Sequence, residues 1–208
     1  MLASPVATLF SRPLAAGLSL AAALALTACS TAPTAAPSSG SGEAGAASTP
    51  SAATGKSVQS IARLEATKGS SVSGVVQFFP QPDGSVRVQG QIQGFAPNSE
   101  HGFHIHEKGD CSSGDGLSAG GHFNPTQQAH GQFNGSQPHH LGDLPSLDAN
   151  QDGVVTIDFV SKDFALNRSA NGILGRSLIV HNDADDYTTQ PTGNSGARLA
   201  CGVIERGA

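Results

Sequence analysis

An all-β domain, built as an antiparallel sandwich or barrel, is predicted for this chain from residue 58 onward. Short β-type runs recur at residues 72–79, 85–93, 154–160 and 177–181, rich in Val, Ile and Phe and bounded by turn residues. No long stretch carries the apolar spacing of an amphipathic helix. Long glycine-rich connections link the runs, as expected of short strands packed face to face. With no Trp and one Tyr, Phe, Val, Ile and Leu must fill the core.

Ahead of this domain, residues 1–28 read as a signal peptide of the lipoprotein type. Arg12 precedes an apolar run from Pro13 to Leu26 that is too short to span a bilayer comfortably. The run ends in Leu26-Thr27-Ala28-Cys29, which resembles a bacterial lipobox, with Cys29 the lipid-bearing first residue of the mature chain. An ordinary signal cut near Ala28 is the alternative. Residues 29–57 then comprise that cysteine and a tether of Ala, Ser, Thr, Pro and Gly, with Glu43 the one charge between residues 30 and 55. Such a segment has too little apolar surface to order itself and supplies reach. The expectation is an exported protein, anchored to a membrane through lipidated Cys29 and facing a periplasm or the cell exterior, with its folded domain at residues 58–208.

Export also accounts for three cysteines. Cys29 takes the lipid, and Cys111 and Cys201 are left to pair in an oxidising compartment, two buried free thiols being the alternative. That bridge would close a loop of about 90 residues and contribute up to ~4–5 kcal/mol.

Within the domain, Pro82-Asp83-Gly84-Ser85 marks a hairpin between the runs 72–79 and 85–93. Residues 108–147 and 182–198 stay irregular, and loops that long inside a compact domain usually carry function. They need a metal or a disulfide to order around. Asp148-Ala149-Asn150-Gln151-Asp152-Gly153 copies the opening of a calcium-binding EF-hand loop, but its twelfth position is Phe159 instead of a bidentate acid. We read it as a tight turn into the run 154–160.

All eight histidines lie between His101 and His181. In Gly102-Phe103-His104-Ile105-His106 two imidazoles flank one apolar residue, so on a strand both rings leave the same face. Further along stand Gly120-Gly121-His122-Phe123-Asn124-Pro125, His130, His139-His140-Leu141-Gly142-Asp143 and Ile179-Val180-His181. A lone histidine is more often surface or core filling than a ligand; a series at these spacings is not so explained. The ordered set, with Gly109-Asp110-Cys111 and with Arg198 ahead of Cys201-Gly202-Val203-Ile204, resembles copper/zinc superoxide dismutase of the exported bacterial type over nearly all of residues 58–206.

The resemblance implies a Greek-key β-sandwich or barrel with long metal-binding and disulfide loops. It implies one copper per subunit on His104, His106, His122 and His181, and one zinc on His122, His130, His140 and Asp143, with His122 shared. Donor chemistry agrees, since four imidazoles suit Cu(II) while three imidazoles and a carboxylate form a closed zinc set. Asp185 would fix a ligand ring of each metal. His101 and His139 match no ligand position and are read as ordinary polar residues, His139 being a minor competitor of His140 for zinc.

The implied reaction is disproportionation of superoxide to dioxygen and hydrogen peroxide by copper cycling between two oxidation states beside a structural zinc. His122 would carry a proton and Arg198 would dock the anion. The alternative is a non-catalytic lipoprotein that binds or stores copper and zinc on the same fold. A copper-only enzyme is disfavoured by the presence of His130, His140 and Asp143. The net charge of −5 and the absence of any charged residue from Tyr187 to Ala197 leave steering to other groups, with Lys108 a candidate. No basic patch supports nucleic-acid binding, and both a monomer and a homodimer stay open.

Overall fold

The computed structural model describes residues 59–207, so the expected signal segment, the Cys29 lipidation site and the tether lie outside the described residues. Strands β1 (Ser60–Ala66), β2 (Ser73–Pro80) and β3 (Val86–Gln93) form an antiparallel meander. Then come the two-residue β4 (Glu100–His101), β5 (Phe103–His106), a 3-10 turn at Leu117–Ala119, β6 (Leu147–Asp148), β7 (Val154–Ser161), β8 (Ser177–His181) and β9 (Arg198–Arg206). The four predicted runs coincide with β2, β3, β7 and β8 to within one residue at each end. β1, the short β4 and β6, and the long β9 were not individually predicted, and β5 was expected only through its histidine pair.

Seven strands form one antiparallel ladder in the order β5-β8-β9-β1-β2-β3-β7. From β3 the chain crosses to the far end of this ladder for β5, then returns to lay β7 beside β3, a Greek-key connection. Glu100 pairs with Asp148 and His101 with Leu147, which joins the segments leading into the two end strands. The sheet thereby curls around one apolar core that includes Phe78, Val88, Ile92, Phe103, Ile105, Leu178, Val180 and Ile204.

The predicted hairpin is present. Gly84 adopts a left-handed φ of 83°, and the Asp83 carboxylate accepts from both the Ser85 amide and its hydroxyl. Residues 148–153 also make the expected turn, with Asn150 Oδ1 accepting from the amides of Asp152 and Val154.

Burial patterns locate the working face. In β1, β2 and β3 buried residues alternate with more exposed ones, so one face meets water. Every residue of β5 and β8 is buried instead. Phe103, Ile105, Leu178 and Val180 point into the core, and the opposite face is covered by the loops 107–146 and 182–197. His104, His106 and His181 leave from that covered face.

Candidate metal centre

The long loop after β5 is fixed by extra rungs on that strand. His122 pairs with His106 and Asp143 with His104 as isolated bridges, and Phe123 and Ile105 donate to the carbonyls of Ile105 and Gly142 respectively. Two distant pieces of the loop are thus brought beside the His104-Ile105-His106 segment. Arg176, at the start of the opposite strand, reinforces the contact. Its guanidinium lies 3.6 Å from the centroid of the Phe123 ring and donates to the carbonyls of Gly172 and Glu107 at 2.8 and 2.7 Å.

Two quartets of buried donors result. His104, His106, His122 and His181 form one, with ligand atoms within 4.8 Å of one another. Its His106 and His181 Nε2 atoms are 3.3 Å apart. Among the described residues, His104 Nδ1 and His122 Nε2, both buried, have no hydrogen-bond partner. A buried polar atom left unpaired costs roughly 1–3 kcal/mol, and two aimed into one quartet of imidazoles fit a metal that takes nitrogen.

The second quartet centres on Asp143. Its Oδ2 accepts from the amides of Gly131 and His140 at 3.1 and 2.9 Å, which leaves Oδ1 presented to three rings. The Nδ1 atoms of His122, His130 and His140 lie 2.9, 3.0 and 3.2 Å from Oδ1. His140 Nδ1 is also 3.3 Å from His122 Nδ1. A tetrahedral zinc ion would separate its ligands by about 3.3–3.6 Å, so these spacings are close to a zinc cage and slightly tight. The four donors around Asp143 that lie within 4.8 Å of one another are His104, His122, His130 and Asp143 itself, without His140. His104 Nε2, however, is 2.6 Å from Asp185, and its other nitrogen is the unpaired one of the first quartet. His104 is thus engaged elsewhere, and His140 is the third ring against Asp143 Oδ1.

His122 belongs to both quartets through different nitrogens: Nδ1 faces Asp143, and Nε2 is the unpaired atom. Asp185 also spans the two. Its Oδ2 accepts from His104 Nε2 at 2.6 Å and its Oδ1 from His130 Nε2 at 2.8 Å. Burial, the largest influence on His104, His106, His122 and His181, lowers their pKa values, that of His122 to about 4. Neutral imidazole is the form that binds metal.

Cys111 and Cys201 are disulfide-bonded, with Cα atoms 5.8 Å apart. The bridge and Ile179 pack with Ala119 into a small second core beneath the loop. Arg198 stands opposite His181 in the β8–β9 ladder, where the register shifts. Its guanidinium donates to the carbonyls of Gly116 and Gly120, the latter at 2.6 Å. Lys108 is exposed, and its charge acts on Asp110.

His139 stays outside both quartets, its Nδ1 bonded to the His140 carbonyl. His101 is more than an ordinary polar residue. It is buried, rests on Phe95, and spans Ser99 Oγ and the His181 carbonyl. Sequence reasoning also missed Gly193. A Cβ there would collide with Asp185 and His130, so only glycine lets the loop cross their hydrogen bond.

The family profile for copper/zinc superoxide dismutase matches residues 72–204. The chain is 40% identical over 135 residues to the superoxide dismutase-like protein YojM of Bacillus subtilis (strain 168), covering 63% of this chain and 68% of that protein. It is 38% identical over 151 residues to a Cu-Zn superoxide dismutase of Onchocerca volvulus, covering 68% and 93%. Among solved structures, the clock protein EA4 superposes with a TM-score of 0.64 at 41% identity, covering 73% of this chain and 96% of that one. A double mutant of a SOD-like protein from Bacillus subtilis gives 0.63 at 40%, covering 70% and 96%.

Proposed function

Because the chain belongs to the copper/zinc superoxide dismutase family, we propose that it disproportionates superoxide, converting two superoxide anions and two protons into dioxygen and hydrogen peroxide. His104, His106, His122 and His181 would hold copper; His122, His130, His140 and Asp143 would hold zinc. Copper supplies the one-electron redox chemistry, and zinc, which has none, supplies structure. The observation that carries this reading is the His122 ring, with one nitrogen in each donor quartet.

The residues divide the remaining work. His122 can hold a proton at Nε2 while Nδ1 stays in the Asp143 cluster, which suits it to deliver that proton to the product. Arg198 offers a permanent positive charge beside His181, and its guanidinium fork is fixed by two backbone carbonyls, so a small anion meets a preset direction. Asp185 keeps His104 and His130 in one tautomer and orientation by accepting from both.

The test is to load the purified protein with both metals and measure metal content and superoxide dismutation together. Binding of both with rapid dismutation is expected. Binding of both without dismutation would favour the second reading, a metal-binding or storage protein, to which the "dismutase-like" name of the Bacillus relative gives weight. We further propose export and lipid anchoring at Cys29, for which the Cys111–Cys201 bridge is supporting chemistry because such bridges persist in oxidising compartments. Mass spectrometry of the mature N-terminus tests this: a diacylglyceryl-modified Cys29 is expected, and an unmodified terminus would exclude the anchor.

A further inference from the structure

The rings of the zinc quartet are held by carboxylates, but His130 is also held by its main chain. The Gln190 side-chain amide pairs with it as a neighbouring strand would. Its Oε1 accepts from the His130 amide at 2.8 Å, and its Nε2 donates to the His130 carbonyl at 3.0 Å. A further bond from Nε2 to the Thr188 carbonyl, at 3.2 Å, aligns the side chain with its own loop. Four polar groups of His130 are thus engaged: the amide and carbonyl by Gln190, Nδ1 by Asp143 and Nε2 by Asp185. Among the described residues no strand supports this stretch, because His130 sits in the irregular loop between β5 and β6.

We propose that Gln190 is a positioning residue for the zinc site. It fixes the His130 backbone so that Nδ1 meets the other three donors, and it makes zinc affinity depend on the order of the loop 182–197. This rests on the zinc assignment made above. The physical basis is complementarity: only a primary amide of this length presents one acceptor and one donor to the facing donor and acceptor. Asn is one methylene short, and Glu has the length but no donor. Groups that orient a metal ligand typically govern affinity by about 10- to 100-fold, and the clamp adds a backbone anchor to the carboxylate contacts already in place. Gln190 is itself exposed, so its replacement removes no core packing.

The experiment uses the full chain with Gln190→Glu and Gln190→Ala. Zinc affinity is measured by competition with a chelator, and the site is probed separately with cobalt(II), whose visible absorption reports coordination geometry. Glu fills the same space as Gln, so a merely space-filling role predicts parental affinity for Gln190→Glu. The clamp predicts that both variants lose roughly 10- to 100-fold in zinc affinity and show an altered cobalt spectrum. Parental affinity in either variant overturns the proposal. Failure of the unaltered chain to bind zinc would instead overturn the zinc assignment, so the two failures are distinguishable.

Discussion

Arg198 shows how much of this site depends on single side chains held by distant backbone. Its guanidinium is half-buried; burial lowers its pKa while the Asp115 charge opposes that, yet an arginine remains cationic throughout the physiological range. Both of its carbonyl partners belong to the loop that Cys111 anchors, so charge and direction are fixed together. Electrostatic steering, of which superoxide dismutases are a known example, raises encounter rates by about 10- to 1000-fold. Arg198→Ala is therefore expected to lower kcat/KM by at least about tenfold with both metals retained. Arg198→Lys, which keeps the charge but cannot reach both carbonyls, should recover only part of the loss. Pulse radiolysis on metal-replete variants measures this. An unchanged rate constant for the alanine variant would remove Arg198 from the mechanism.

At the scale of elements, β5 was legible from the alternation in Phe103-His104-Ile105-His106 and β8 from its short apolar run, both local signals, and the gathering of histidines was legible because clustered imidazoles have few other uses. The pieces that aim those rings were not. The β4–β6 pair, the His106–His122 rung and the Gln190 clamp each join residues far apart in the chain, and none has a local periodicity. Gly193 has a local signature, a left-handed φ of 64°, but its steric requirement exists only once Asp185 and His130 meet. The disulfide belongs between these cases: its partners were readable by count, and its mechanical role was not. It ties β9 to the loop that receives the Arg198 guanidinium, across a separation of 90 residues. Replacing both cysteines by alanine should cost ~2–5 kcal/mol in denaturant unfolding and speed amide exchange across residues 110–121. Parental exchange there would mean that hydrogen bonds alone hold the loop.

The described domain, residues 59–207, is a curled sheet carrying a concentrated, buried set of titratable groups on one face, and its metal-free form should show this in its pH dependence. An ordinary histidine titrates near 6.5. Burial, the leading influence, holds His122 at about 4 and keeps His104, His106 and His181 below the ordinary value. As pH falls from 6.5 toward 4, the unfolded chain takes up protons that these folded-state rings refuse, so stability falls. Below 3.8 the loss continues. Burial disfavours the charged forms of Asp143 and Asp185, but hydrogen bonds from the histidines outweigh it and pull both below the ordinary carboxylate range. Their stabilisation is present above 3.8 and is lost with acid. His130 behaves oppositely: burial opposes its charge, yet hydrogen bonds to Asp143 and Asp185 push its pKa up to about 9. Its contribution is complete below 6.5 and disappears as pH rises through 9. The chelator-treated protein is therefore expected to have its highest Tm near pH 6.5, falling on both sides. With zinc bound, the His130 charge is replaced by the metal, which requires deprotonated ligands, so the alkaline fall should vanish and the acid fall steepen. Calorimetry of both forms from pH 4 to 9.5 measures the difference; an alkaline limb that zinc leaves unchanged would show that His130 is not among its ligands.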